Sequence, residues 1–463
     1  FGAKTAMQGL KPVRRKRRRL TDASDEVVAR AKQRYAAMGP RVGTRRIKDK
    51  KLKREMQVVE SKIQDAAIRA AESDILNTEV AGSLEAEGLE RTYKFKQRDL
   101  LPKLDRNTRA KVFNLELRDK APYAVDFSRS GRFLLLGGKR GHVALVDLLR
   151  TDLVFELHVD EEVRDVQCLH NETLCAVAQQ KYVYIYDQTG LEIHCLRKHI
   201  DPLALEFLPY HFLLASVGRA GFLKYQDVST GQLVAEWRTK LGPCDVMAQN
   251  PSTAVMHLGH GNGTVTLWSP TVSTPLVRML VHRGPVRAAA VSEDGNYMAT
   301  SGVDGFIKIW DVRTFTQVHA YRVRTPPKSL CISQTGLLGV GFNSGVQIWK
   351  DAIATKAVSP YMNHDLEGVV IQRTKFRPYE DILGIGHAAG YSSIVVPGSG
   401  EPNFDTFTAN PFQTSQQRRE QEVKSLLEKL QPETIVLDQE SIGAVTVDAK
   451  EVLEQRKHEA DVA

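Results

Sequence analysis

Two groups of side chains have the types and spacing to do chemistry. Lys11-Pro-Val-Arg-Arg-Lys-Arg-Arg-Arg19 packs seven basic residues into nine positions, a density suited to neutralising phosphates or to nuclear import. A second basic run, Arg45-Arg-Ile-Lys-Asp-Lys-Lys-Leu-Lys-Arg54, lies at the start of a helical pattern, which favours nucleic-acid contact over a merely solvated tail. Arg14, Arg15, Lys16, Arg17, Arg18, Arg19, Arg45, Arg46, Lys48, Lys50 and Lys51 are the candidate RNA-binding residues. Their contacts should go to phosphates and RNA shape, because the chain has no RRM ribonucleoprotein signature, no GXXG of a KH domain beyond chance and no zinc knuckle. The other group is His282, Thr300, Asp304 and Trp310. A histidine with an aspartate and a threonine has the ingredients of acid–base catalysis, but all four hold fixed places in a repeat of the chain. There a buried hydrogen-bonded network accounts for every member.

Nothing else in the sequence supplies a reaction. There is no Walker A phosphate loop, G-x-S-x-G, H-E-x-x-H or dinucleotide fingerprint, and the Gly pairs sit in turns where positive φ explains them. Cys168, Cys175, Cys195, Cys244 and Cys331 form no C-x-x-C pair, which argues against a zinc site or a disulfide framework and for a reducing compartment. The sequence therefore offers no catalytic residue, no cofactor, no metal site and no small-molecule substrate.

The positions of the charges say more than their total. Of 463 residues, 42% are hydrophobic and 26% charged, and the net charge is +9; such a chain is folded rather than fibrous or wholly disordered. Residues 1–54 hold 19 Lys or Arg against four acids, a net of +15, so the remainder sums to −6. A basic end on a near-neutral body is the pattern of an arm that binds a polyanion. The longest apolar stretch, 203–223, is interrupted by Glu206, His211 and Arg219, so no membrane span is expected. The chain begins at Phe1 on a basic stretch unlike a secretory signal, and reads as a fragment of an intracellular protein.

The elements that must carry these groups come from the repeat. Residues 286–311 run apolar strand, Asp-Gly turn, strand ending in small residues, Asp-Gly turn, and an alternating strand closed by Trp310-Asp311, which is a WD repeat. The same frame is anchored at Asp147, Asp187, Asp227, Ser269, Asp311, Lys350 and Pro397, with spacings of 40, 40, 42, 42, 39 and 47, near the period of one propeller blade. Trp-Asp survives only at Trp310-Asp311; other blades keep the acid or the Trp alone. The expected fold is all-β, a seven-bladed WD40 propeller over 111–397 with helical N-terminal and C-terminal extensions. Val112–Leu117 should supply the outer strand of the last blade and close the ring, which protects strand edges.

The flanks read as helical. Residues 24–38 form a short helix stopped by Gly39-Pro40. A longer one carries Leu52, Met56, Val59, Ile63, Ala66 and Ala70 at alternating steps of four and three. The stretch 77–90, acidic and Gly-interrupted, reads as a linker. After 397 a loop leads to Thr414, which with Gln417 makes a capping box. Val423, Leu426, Leu427 and Leu430 follow at i, i+3, i+4 and i+7, a stripe that needs one partner: its own propeller or another protein. These four are the candidate protein-binding residues, and an acidic helix is expected at 448–459. The domains are thus 1–110, a basic extension contacting RNA or protein; 111–397, the propeller; and 398–463, the C-terminal extension.

Particular stretches resemble one family. His211-Phe-Leu-Leu-Ala-Ser, Asn250-Pro, His257-Leu-Gly-His-Gly-Asn-Gly-Thr-Val-Thr-Leu-Trp-Ser-Pro270 and above all Val396-Pro-Gly-Ser-Gly-Glu-Pro-Asn-Phe-Asp405, with Asn410-Pro-Phe and Val423-Lys-Ser-Leu-Leu-Glu-Lys429, resemble the U3 small nucleolar RNA-associated protein 7 family, also called WD repeat-containing protein 46. The similarity covers roughly residues 100–445. It implies a non-enzymatic scaffold of the small-subunit processome, the U3 snoRNP-containing pre-ribosome of the nucleolus in the nucleus, required for rRNA processing and 18S rRNA maturation in ribosome biogenesis. The implied partners are pre-rRNA, U3 small nucleolar RNA and other processome proteins including WD40 propellers, with no membrane. The class that competes with this expectation is a propeller adaptor of another nuclear complex, in chromatin or ubiquitin transfer.

Overall fold

The computed structural model describes residues 47–73, 82–86, 90–366, 368–403 and 410–437. Two compact units divide the chain, Glu79–Leu437 on one hand and Phe1–Thr78 with Asp438–Ala463 on the other. In the second unit the helix Lys50–Ser73 is described; it covers the span where the four-three spacing places it. The helices expected at 24–38 and 448–459 lie outside the described residues. No helix among the described residues is long and apolar enough to cross a membrane.

The larger unit is built from seven four-stranded antiparallel sheets. In blades 1–6, whose inner strands begin at Tyr123, Val163, Pro202, Val246, Val286 and Ser329, four consecutive strands pair in sequence order, as in blade 5, where Val286–Val291, Tyr297–Gly302, Phe306–Asp311 and Thr316–Arg322 run from inside to outside. Inner strands are more deeply buried than outer strands: Tyr123–Phe127 is buried throughout and Val286–Val291 at alternate residues, whereas Asp152–His158 buries only Phe155. The core is therefore a set of apolar layers between adjacent blades, such as Val163 and Val166 against Leu135 and Val143. The inner strands of blades 2, 3, 5 and 7 share a bulge at their second residue, so the repeat persists in the backbone where its sequence has eroded. Each inner strand neighbours the next, and Ile371–Phe376 neighbours Tyr123–Phe127, which closes the ring.

Blade 7 is completed from far upstream. Asn114–Glu116 pairs with Gly390–Ser392, inside the stretch the sequence nominates for closure. Gly390 has φ 140°, and a Cβ there would overlap the Leu115 carbonyl oxygen, so the closure requires glycine. Phe113 continues the ladder to Ser393. Beyond it the Gln97 amide takes over, donating to Val395 O at 2.7 Å and accepting from Val395 N at 3.0 Å. The stretch that reads as a linker is also part of this body in its described portion: Leu84 donates its N–H to the Tyr361 hydroxyl at 2.7 Å and packs on the core of blades 6 and 7. A single buried hydroxyl 277 residues away makes the difference, and no local pattern reports it.

After blade 7 the chain crosses beneath the ring on the rim where inner strands end. Arg132 of blade 1 donates to Pro411 O at 3.2 Å. The helix Ser415–Leu427, capped by Thr414 and Gln417 as expected, passes blade 2. Lys429 pairs with Asp227 and Leu430 donates to Tyr210 O in blade 3. Ile435, fully buried, ends in the core of blades 3–5, where Ser269 of blade 4 donates to its carbonyl at 2.7 Å. The tail is a strap across four blades.

Candidate nucleic-acid and protein interfaces

The His282 group of blade 5 is a closed structural network. His282 Nδ1 lies 3.0 Å from both Asp304 carboxylate oxygens, Nε2 lies 3.0 Å from Thr300 Oγ1, and the Trp310 indole donates to the same hydroxyl at 3.2 Å. A carboxylate at Nδ1 demands a donor there, so Nε2 accepts from Thr300. Burial holds the imidazole below its ordinary range, with Asp304 opposing. The members satisfy one another, and His282 is buried. Blade 4 builds a similar triplet from other positions, with the histidine after the second strand and the threonine on the third: His260 Nε2 meets Thr266 Oγ1 at 2.7 Å, and the Trp268 indole donates to that hydroxyl at 2.8 Å. In blade 3 His199 lies between Ser216 and Gln226.

Charge also fills the ring's centre. On inner strands, Lys375 pairs with Asp126, and Arg373 of the same blade pairs with Asp165. Arg373 also lies 3.8 Å from Glu206, whose carboxyl burial pushes up to about 7. Backbone N–H groups of Cys168 and Leu205 donate to Asp126 and Asp165. Blade 7 is thereby tied to blades 1, 2 and 3 across the axis, at residues the sequence pattern did not single out.

Of the candidate RNA-binding residues, Arg14, Arg15, Lys16, Arg17, Arg18, Arg19, Arg45 and Arg46 lie outside the described residues. Lys48, Lys50 and Lys51 stand exposed at the start of the helix Lys50–Ser73, and none of them makes an ion pair among the described residues. Asp49 Oδ1 accepts from Lys51 N at 2.8 Å, and the first turn holds no acid. Cations at the positive end of a helix dipole repel it, and an anion bound there relieves both.

The candidate protein-binding residues are placed unexpectedly. The helix Ser415–Leu427 does lie on its own propeller, but through its polar side: Arg418 pairs with Glu172, and Glu422 lies 3.2 Å from His170. Val423 is 58% and Leu427 82% exposed, and Leu426 and Leu430 are partly so. Phe412, also exposed, lines a cleft of about 590 Å³ with Arg132, Arg150 and Arg418. A helical stripe says which residues share a face, not which face docks. The acid and histidine that decide it, Glu172 and His170, belong to blade 2, 246 and 252 residues upstream of the helix residues they meet.

Comparison with known proteins agrees with this architecture. A WD domain, G-beta repeat model matches residues 273–311, which contain most of blade 5, and a BING4CT (NUC141) domain model matches 360–438, which contains blade 7's inner strands and the strap. The chain is similar to U3 small nucleolar RNA-associated protein 7 of Saccharomyces cerevisiae, 45% identical over 86% of this chain and 75% of that protein. It is 46% identical to WD repeat-containing protein 46 of Homo sapiens over 88% of this chain and 67% of that protein. The protein of that name from Caenorhabditis elegans is 43% identical over 88% and 70%.

Proposed function

The chain belongs to the U3 small nucleolar RNA-associated protein 7 family, whose members are also named WD repeat-containing protein 46, and on that premise we propose that it is a non-enzymatic scaffold of ribosome biogenesis in the nucleolus. It works in the small-subunit processome, holding pre-rRNA and U3 small nucleolar RNA beside neighbouring proteins while 18S rRNA matures. What carries this reading is identity along most of the chain to a protein named for U3 association. The segregated charge supports it, because +15 in residues 1–54 against −6 elsewhere is an electrostatic anchor on an otherwise neutral ring.

If about five cations of the arm, from Lys4 to Arg54, meet phosphates, log affinity for RNA falls with log salt at a slope between roughly −3.5 and −4.5. Reversing Arg14–Arg19 to glutamate in the full chain flattens that slope and weakens binding to all sequences alike, since phosphates carry no sequence code. An unchanged slope overturns the anchor. The outward stripe of Val423 and Leu427 receives a neighbouring protein of the particle. The double variant Val423→Asp with Leu427→Asp should melt like the parent but be recovered poorly with the particle; normal recovery refutes that role.

A further inference from the structure

One sector of the opposite rim, where inner strands begin, carries cations that the fold itself does not use. In blades 1–3 acids stand among the basic residues of this rim: Lys139 pairs with Glu162, Lys181 with Glu161, and Asp201 receives both Arg164 and Arg219, while Arg140, Arg197, Lys198, Arg238 and Lys240 are exposed without an ion pair among the described residues. In blades 5 and 6 the same rim presents Arg283, Arg287, Arg322, Arg324 and Lys328, all exposed. None of the five has an ion-pair partner among the described residues.

The repeat makes this difference pointed. Arg164 and Arg287 occupy the same register position, the bulged second residue of the inner strand in blades 2 and 5. Arg164 finds Asp201 in the connection to the next blade. The corresponding connection after blade 5, residues 323–328, holds Arg324 and Lys328 and no acid, and residues 281–285 hold none either. The nearest acid in the blade, Asp304, is already bonded to His282 and accepts the Phe306 N–H; Asp365 stands at the end of the outer strand of blade 6. Like charges gathered on rigid backbone repel at a cost to stability. Pro285, Pro326 and Pro327 stiffen the connections that hold them.

We propose that this arc is a second RNA site, one that grips the phosphate backbone on the propeller itself, independent of the arm. It rests on the reading above that the protein works against RNA. Four of the five cations are arginines, whose planar fork matches phosphate oxygens. A folded or peptide partner would want apolar anchors in pockets. Beside the arc only isolated aliphatic side chains are exposed among the described residues, Leu280 at 72%, Val303 at 44% and Val370 at 39%, and the clefts at Phe412 and at Tyr210 lie on the other rim. Among the described residues the aromatic side chains of this rim in blades 5 and 6, Phe306 and Phe342, are half-buried and none stands free for base stacking, so the grip is blind to sequence.

The test uses the full chain and a fluorescent, unstructured oligouridine. Arg287→Glu with Arg324→Glu should raise Kd about tenfold near physiological salt and make the log–log salt slope shallower by about 1 to 1.5. The milder Arg287→Gln with Arg324→Gln should shift both in the same direction, which guards against misfolding as the cause. Lys139→Glu with Lys181→Glu makes the same charge change on the acid-paired sector and should raise Kd less than about threefold. An equal loss in that control overturns the site, because the effect would then be net charge alone. Loss of binding on reversing Arg14–Arg19 but not the arc overturns the site and leaves the RNA reading standing. No loss in either variant overturns both. Competition by polyglutamate as effective as by RNA of equal charge overturns the commitment to phosphate.

Discussion

Blades 5 and 7 share one shape and hold it in opposite ways. Blade 5 is contiguous in sequence and carries its own lock, from His282 through Asp304 and Thr300 to Trp310. Blade 7 has no such sequence, and its outer strand arrives from Asn114–Glu116, more than 270 residues upstream. A blade written in one stretch can be repaired or damaged locally. One assembled from both ends of the ring makes every other blade depend on it, because an open propeller exposes strand edges on two blades at once.

The sharpest way to break the comparison is to attack closure. Deleting residues 112–117 should abolish a soluble monomer, seen as aggregation in size-exclusion chromatography. Gly390→Ala is the finer probe. It sets a Cβ against the Leu115 carbonyl at a φ that L side chains rarely adopt, and should cost about 3 kcal/mol or more in denaturant unfolding. A variant as stable as the parent would show that the outer strand is an accessory.

The lock of blade 5 should matter less. His282→Ala leaves Asp304 and Thr300 without their partner and should cost about 2–4 kcal/mol. Asp304→Asn, which keeps an acceptor for Nδ1, should cost about 1 kcal/mol. Either variant, once folded and assembled, should support rRNA processing, and a folded variant that blocks it would count against a purely structural network. The imidazole gives a pH signature as well. Burial lowers its pKa in the fold, and it takes His199 and His260 down to about 4 from an ordinary 6.5. The unfolded chain therefore binds more protons at these histidines between those values, so their contribution to stability falls as pH drops from about 6.5 and levels off below about 4. In His282→Ala the denaturation midpoint should lose part of that dependence.

The same contrast explains what the sequence could reveal. Trp310-Asp311, Asp304 and His282 are one blade's worth of neighbours, and the repeat period with the orphan strand at 112–117 reported the seven blades and their closure. Local helical signals reported the capping box at Thr414 and the helix around Leu52. What stayed hidden is non-local. Lys375 with Asp126, Leu84 with Tyr361, and Arg418 with Glu172 join residues hundreds of positions apart, and one sequence carries no record of such pairs. The arc at Arg287 and Lys328 was hidden for a related reason: it is defined by acids that are missing from neighbouring turns, which shows only when Arg164 and its Asp201 supply the standard.

The smallest effect should come from Gln97, and it tests how far blade 7 is built from outside. Its side-chain amide imitates a strand residue, giving one donor and one acceptor to the backbone of Val395, which is itself buried. In Gln97→Ala those two groups lose their partner in a place water reaches poorly, for a cost of about 1–2 kcal/mol. Gln97→Glu separates the two bonds. A carboxylate still accepts from Val395 N but faces the Val395 carbonyl without a proton to donate, so near neutral pH it should destabilise at least as much as alanine. Protonation restores the donor. The folded pKa of that glutamate is then raised, and the stability it regains is present below its unfolded value and lost as pH rises through the folded one. Urea midpoints of the two variants across pH 4 to 7 should therefore cross, with Gln97→Glu the more stable at the acid end. Parallel curves would mean that the Gln97 amide merely rests against blade 7 and that the ladder ends at Phe113.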